Sequence, residues 1–198
     1  MNTERTASIT RKTAETDITL TLNLDGAGKS DIDTGVPFLN HMLTLFASHG
    51  RFDLTVKCIG DTDVDDHHSV EDIGIALGEA IRLALGEKRG VVRYGSMILP
   101  MDESLILCAL DLSGRGYLAY ELAIPAAKIG TFDTELGKEF FLALTRTSQM
   151  TLHFRQMAGE NSHHILEGAF KAFARGLRTA VKIDTDTAGE IPSSKGVL

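Results

Sequence analysis

Asp65-Asp66-His67-His68-Ser69-Val70-Glu71-Asp72 sets two adjacent histidines and a carboxylate at the start of a helical pattern. On a helix His67 and Glu71 lie four apart and share a face, so they are placed to grip one cation together. His68 is rotated by about 100° and points elsewhere. The grouping returns 96 residues later (163 − 67) as His163-His164-Ile165-Leu166-Glu167. Four of the seven histidines therefore fall in two copies of HHxxE. Histidines that merely cap helices have no reason to recur in register, so the duplication points to metal.

The repeat extends outward from the motif. PFLNHMLTLFASHGRFDLTVKC (37–58) lies over ELGKEFFLALTRTSQMTLHFRQ (135–156) without a gap, which sets His41 opposite Glu139, 98 residues on. The loop before the second HHxxE is two residues shorter, which converts 98 to 96. Earlier, Glu15 and Gly26 lie over Glu103 and Gly114, both 88 apart. The connection from that turn to the next helix is ten residues longer in the second half (139 − 114 against 41 − 26). Periods of about 20–50 residues mark solenoids. A period near 96 instead implies a duplicated half-domain of strand-strand-helix-strand-helix type. The expected fold class is α+β, each half a β-sheet packed on one side by two α-helices. One domain over residues 1–198 is expected, with repeats at about 5–93 and 94–185 and a tail at 186–198.

Within each half the periodicities are plain. Ile18-Thr19-Leu20-Thr21-Leu22-Asn23-Leu24 alternates strictly, as a half-buried strand does. Phe38 to His49 carries apolar residues at helical spacing and ends at Gly50. Phe52 to Ile59 reads as a strand, and His67 to Leu85 as a long amphipathic helix closed by Gly86. In the second half, Leu105 to Asp111, Tyr117 to Ile124 and Gln149 to Gln156 read as strands. Thr134 to Thr147 and His163 to Val181 read as helices, and the tail from Lys182 has no periodicity.

A formal charge of −7 argues against a nucleic-acid surface, although a few local cations suffice for a small anion. Cys58 and Cys108 lie in apolar strand-like runs and read as buried thiols. The N-terminus lacks an apolar signal core and no apolar run approaches membrane-spanning length, so no membrane role and a cytoplasmic location are expected.

The candidates for chemistry follow from the repeat. His41, His67, His68 and Glu71 stand against Glu139, His163, His164 and Glu167. Imidazole with carboxylate suits Mn, Fe, Zn or Ni, and the lack of thiolate argues against a structural zinc site. Eight donors furnish two ions with about four ligands each, leaving positions open to substrate. His153, on a strand opposite Thr55, has no partner in the other half and reads as a supporting or core histidine rather than a ligand. His49 ends the first helix, where a histidine is often a dipole contact, but it shares that helix with His41. Arg93 and Arg115, the latter in a Ser-Gly-Arg-Gly turn, suit phosphate. Ser193, Ser194 and Lys195 in the tail add hydroxyls and an amine on a segment too short and polar to pack alone.

Phe38 to Leu43, Asp65 to Asp72, Pro100-Met101-Asp102-Glu103, Asp111 to Arg115 and Gly159 to His164 together resemble imidazoleglycerol-phosphate dehydratase in its monofunctional form. The resemblance runs from about residue 5 to the tail. It implies a lyase of histidine biosynthesis that converts imidazole glycerol phosphate to imidazole acetol phosphate with two manganese ions. It also implies a homo-oligomer, a 24-mer built from trimers, with sites at subunit boundaries. By position, it implies His41, His67, His68, Glu71, Glu139, His163, His164 and Glu167 as metal ligands and Glu15 as the acid/base. Glu15, His41, His49, His67, His68, Glu71, Arg93, Arg115, Ser193, Ser194 and Lys195 would contact substrate. Many members carry histidine where this chain has Glu139. Asn40 replaces the commoner aspartate, and Gly116 a common proline.

The reaction explains the residue types. The proton to be removed is not next to a carbonyl and is weakly acidic. An imidazole ring held between two cations can lose its N–H, and the resulting imidazolate can expel the neighbouring hydroxyl to give a diazafulvene. A base then takes the next proton, and the enol becomes the ketone. Two other readings share these residues. A dinuclear hydrolase of phosphate esters would release phosphate without dehydration. A metal-dependent shell or storage protein would lose assembly with its ligands and bind no small phosphate.

Overall fold

The structure, a computed structural model, describes residues 5–198. The first half comprises β1 (Thr6–Lys12), β2 (Thr16–Asn23), β3 (Ser30–Asp33), α1 (Pro37–Gly50), β4 (Asp53–Gly60) and α2 (His67–Leu85). The second comprises β5 (Tyr94–Met101), β6 (Ser104–Asp111), β7 (Tyr117–Glu121), a short hairpin of β8 (Lys128–Ile129) and β9 (Phe132–Asp133), α3 (Leu136–Ser148), β10 (Thr151–Ala158) and α4 (Ser162–Ala180). The sheets have equivalent orders, β1-β2-β4-β3 and β5-β6-β10-β7. The α+β class and the duplication are thus as the repeat predicts.

Alternation sets the pairing. In β2, Ile18, Leu20 and Leu22 are buried and lie opposite Cys58, Val56 and Leu54 of β4, while Thr19 and Thr21 face out. A one-residue slip would turn every apolar side chain to the open face, so this register is strongly fixed. In the second half Cys108 and Leu110 of β6 pair with Phe154 and Leu152 of β10 in the same way. Both cysteines are buried free thiols.

Each sheet has one more strand than the strand-strand-helix-strand-helix unit; the one in the second half is the strand read over Tyr117 to Ile124, and β3 is the addition. In the first half β3 pairs parallel to β4, with Ser30 opposite Leu54. In the second half β7 pairs parallel to β10, with Leu118 opposite Leu152. Ser30 and Leu118 are 88 apart, whereas Leu54 and Leu152 are 98 apart. The ten extra residues therefore lie between β7 and α3, where the β8–β9 hairpin is found. Ser30-Asp31-Ile32-Asp33 has a single apolar residue, too few to show alternation.

The helices join the halves crosswise, with α1 packed on α4 and α2 on α3. Phe46 of α1 stacks on Phe173 of α4 with ring centroids 5.6 Å apart. Between α2 and α3 the backbones come closer. A Cβ on Gly78 would lie 2.1 Å from Thr147 Oγ1 and 2.4 Å from the Leu144 carbonyl oxygen. Thr147 Oγ1 donates to the Ile75 carbonyl across the same contact, at 3.0 Å. Gly78→Ala should therefore lower the unfolding midpoint. The overpacking cost of about 1–3 kcal/mol outweighs the ~1 kcal/mol that alanine gains in helix propensity. Gly189→Ala, with no atom within 4 Å of its Cβ, is the control. An unchanged or raised midpoint for Gly78→Ala would contradict this close helix contact. No helix among the described residues is long and apolar enough to cross a membrane.

Candidate active site

Capped helix starts present both histidine pairs. The Asn161 side chain accepts from the backbone N–H groups of His163 and His164 at 2.9 and 3.3 Å. At α2 the Asp65 carboxylate accepts from the N–H of His67 at 2.7 Å. Each cap satisfies helix donors that have no partner within the helix. The N–H groups of the first turn are thereby fixed, and the paired imidazoles project from it.

One three-donor cluster closes among the described residues. His41 Nε2 and His163 Nε2 lie 3.1 and 3.0 Å from the same oxygen of Glu167, Oε2. The donor atoms of all three residues lie within 4.8 Å of one another. His41 comes from α1 and the other two from α4, so the crosswise helix packing builds the cluster. Glu167 is only 6% exposed. Its other oxygen meets Lys171 Nζ at 2.5 Å. Burial alone would raise its pKa, but Lys171, His163 and His41 more than offset that and hold the carboxyl at about 2. Phe38 packs edge-on to the His163 ring at 5.4 Å and meets Phe132 of the β8–β9 hairpin at 4.9 Å. The insertion of the second half thus buttresses this cluster, and a cavity of about 470 Å³ beside it is lined by Lys128, Asn161 and His163.

The equivalent group at α2 is looser. His67 Nε2 and Glu71 Oε2 are 3.8 Å apart. Glu139 lies half-buried in the first turn of α3. Among the described residues it forms no three-donor group with His67 and Glu71 at the spacing of the first cluster.

The second histidine of each pair is held by a carboxylate at Nδ1. His68 Nδ1 lies 2.9 Å from Asp61, and its Nε2 lies 3.7 Å from Glu15 Oε1. His164 Nδ1 lies 2.7 Å from Glu103, and its Nε2 lies 3.8 Å from Asp102. These bonds raise the pKa of both rings. Glu103 in turn is drawn down to about 2 by His164 and by the Asn161 N–H.

Arg93, Arg115 and the tail meet elsewhere. Arg93 grips Asp111 with Nε and NH2 at 2.7 and 3.2 Å, and its NH1 donates to the Pro192 carbonyl at 2.8 Å. The exposed Arg115 donates from NH1 to the Ser113 carbonyl at 3.3 Å. The tail is tied rather than frayed, with Glu190 O accepting from Gly90 N at 2.7 Å and the Leu198 backbone against Gly114. Ser193, Ser194 and Lys195 follow directly on Pro192, and the Lys195 N–H donates to Ser193 Oγ at 3.2 Å.

These groups sit at opposite ends of the helices. The Arg93 N–H donates to the carbonyl of Ala180, the last residue of α4. His163 is 17 residues earlier on that helix (180 − 163), about 25 Å along its axis. On α2, His67 is 18 residues from Leu85 (85 − 67), about 27 Å away, and Lys88 just beyond bonds the Leu112 carbonyl next to Arg93.

Two other histidines stand apart from the pairs. His153 is exposed on β10 with its ring 5.6 Å from Tyr117, so it is not a core histidine. His49 is half-buried, and burial together with Lys171 and Arg175 lowers its pKa. That shift disfavours a cationic helix cap. Lys171 itself is a residue the repeat gave no hint of, since its first-half counterpart is Ile75. The Glu167-to-Lys171 spacing of four was the one signal of the pair.

The fit to metal rests on the donor set. Two imidazole nitrogens and a buried, ionised carboxylate oxygen converge from separate helices, a combination that suits a divalent first-row ion such as manganese.

Comparison with known proteins agrees with this architecture. The imidazoleglycerol-phosphate dehydratase family model matches residues 34–177. The imidazoleglycerol-phosphate dehydratase of Desulforamulus reducens is 60% identical over 194 residues, covering 98% of each chain. That of Jannaschia sp. is 59% identical over 194 residues, covering 98% of this chain and 100% of its own. The crystal structure of the Staphylococcus aureus enzyme superposes with a TM-score of 0.83 at 40% identity, covering 90% of this chain and 99% of that one. The Pyrococcus furiosus enzyme, solved in complex with (S)-C348, gives 0.84 at 40% identity, covering 96% and 100%. The duplicated α+β fold, the paired histidines at its helix starts and these matches establish that the chain belongs to the imidazoleglycerol-phosphate dehydratase family, lyases of histidine biosynthesis.

Proposed function

We propose that the chain dehydrates imidazole glycerol phosphate to imidazole acetol phosphate with two manganese ions, held by His41, His67, His68, Glu71, Glu139, His163, His164 and Glu167. The observation that carries this reading is the convergence of His41, His163 and Glu167 from two helices. Bound manganese would supply positive charge that acidifies the substrate's imidazole N–H and lets the ring push out the neighbouring hydroxyl. Glu15 removes the proton from the next carbon. Its carboxylate has no hydrogen-bond partner within the described residues and stands 3.7 Å from His68 Nε2, free to move onto substrate. The hydroxyl departs with the ring's N–H proton as water, the C–H electron pair becomes the enol double bond as the ring's electrons return to nitrogen, the proton taken by Glu15 goes back to that nitrogen, and the enol moves its hydroxyl proton to carbon to give the ketone. Arg93, Arg115, Ser193, Ser194 and Lys195 hold the phosphate. His49, on the same helix as His41, is the remaining substrate contact.

A compact substrate does not span the ~25 Å between the helix starts and the Arg93 cluster of one chain. This separation supports sites that take metal ligands from one subunit and phosphate contacts from another, and so a closed homo-oligomer such as a 24-mer of trimers. The test is a metal-stripped preparation given substrate with and without manganese. Ketone should form only with manganese, with no inorganic phosphate released. Phosphate release without ketone would favour a phosphoester hydrolase instead.

A further inference from the structure

Duplication left glutamates at equivalent points of the two halves, Glu15 and Glu103, 88 residues apart. They are not used alike. Both oxygens of Glu103 are committed. Oε2 meets His164 Nδ1 at 2.7 Å, and Oε1 accepts from Asn161 N at 2.9 Å and Ser104 Oγ at 3.0 Å. Glu15 holds no ring nitrogen at bonding distance, because the matching nitrogen of His68, Nδ1, is taken by Asp61 at 2.9 Å. Asp61 follows the end of β4, and its counterpart 98 residues on is Gly159. That glycine has no room for a side chain. A Cβ there would lie 2.3 Å from Ser104 Oγ and 2.9 Å from Ser104 Cα, and its φ is +124°. The second half is thus unable to supply a carboxylate from the strand end.

We infer that Asp61 and Glu103 are the ring-positioning residues of His68 and His164, and that Asp61, by replacing the duplicated glutamate in that task, frees Glu15 for proton transfer. The inference deepens the dehydratase reading and rests on Glu15 being its base. A carboxylate accepting the Nδ1–H fixes the tautomer and turns the Nε2 lone pair toward a cation. In the first half this arrangement leaves a second, uncommitted carboxylate beside Nε2. In the second half the glutamate itself has become the anchor, and the carboxylate 3.8 Å from Nε2 is that of the exposed Asp102 instead.

The test is manganese affinity, read from free Mn(II) by electron paramagnetic resonance, for Asp61→Ala, Glu103→Ala and Glu15→Gln in the full assembly. Asp61→Ala and Glu103→Ala should each weaken binding about 10–100-fold, whereas Glu15→Gln should bind like the parent and fail to turn over. If Glu103→Ala destabilises the Asn161 cap, Glu103→Gln and Asp61→Asn carry the comparison, since each keeps an acceptor oxygen without the charge. Unchanged affinity in all the Asp61 and Glu103 variants overturns the inference. So does a loss in Glu15→Gln as large as theirs. A parent protein that binds manganese but makes no ketone would defeat the dehydratase reading while leaving the positioning roles standing on the affinities.

Discussion

Glu15→Gln is expected to lower kcat by about 10²–10⁴-fold, the range typical of removing a positioned general base, with KM little changed. Glutamine keeps the length and shape of the side chain but has no lone pair basic enough to take a carbon-bound proton. The structure gives no other role for the side chain to lose. Its carboxylate makes no hydrogen bond within the described residues, and its nearest partner is His68 Nε2 at 3.7 Å. Half of it is open to solvent, with 51% side-chain exposure, so stability should be within about 0.5 kcal/mol of the parent. A steady-state assay together with a thermal melt separates the effects. Full activity in Glu15→Gln would assign the proton transfer to another group.

Glu167→Gln should have the second large effect, and through a different route. One oxygen of Glu167 is shared by His41 and His163, and the other meets Lys171 at 2.5 Å. The amide puts an N–H₂ where one of those partners needs an acceptor, and it removes the charge facing the Lys171 ammonium. Losing even an outer partner of a metal site typically costs about 10–100-fold in affinity, so losing this shared oxygen should exceed that. The metal-free protein should also melt earlier, because a nearly buried carboxylate is no longer there to satisfy a lysine; about 1–3 kcal/mol is the expected cost. Metal analysis and calorimetry read the two consequences separately. A variant that keeps its full metal content would remove Glu167 from the ligand set.

The duplication was legible because it is written in strong signals. Alternating apolar residues, the turn glycines Gly26 and Gly114 and HHxxE survive in both halves, and spacings of 88, 96 and 98 place the insertion before α3. What escaped depended on tertiary partners. β3 has one apolar residue and is a strand because β4 offers it an edge. The tail looks unstructured alone, yet Arg93 and Gly90 hold it by backbone carbonyls, which any sequence supplies. His153 allowed a core placement, but strand alternation turned it to the open face. Asp61 was one of several acidic loop residues, and only the fold shows which of them reaches the His68 ring.

On the proposed function, one subunit's metal cluster works with another's phosphate cluster. Mixing two inactive variants after dissociation and reassembly tests it most directly: Glu167→Gln, which damages the metal cluster, and Arg115→Ala, which damages the phosphate cluster. Sites built across subunits should recover activity, since random assembly leaves about a quarter of them with an intact contribution from each chain. A mixture no more active than either variant alone would contradict the claim.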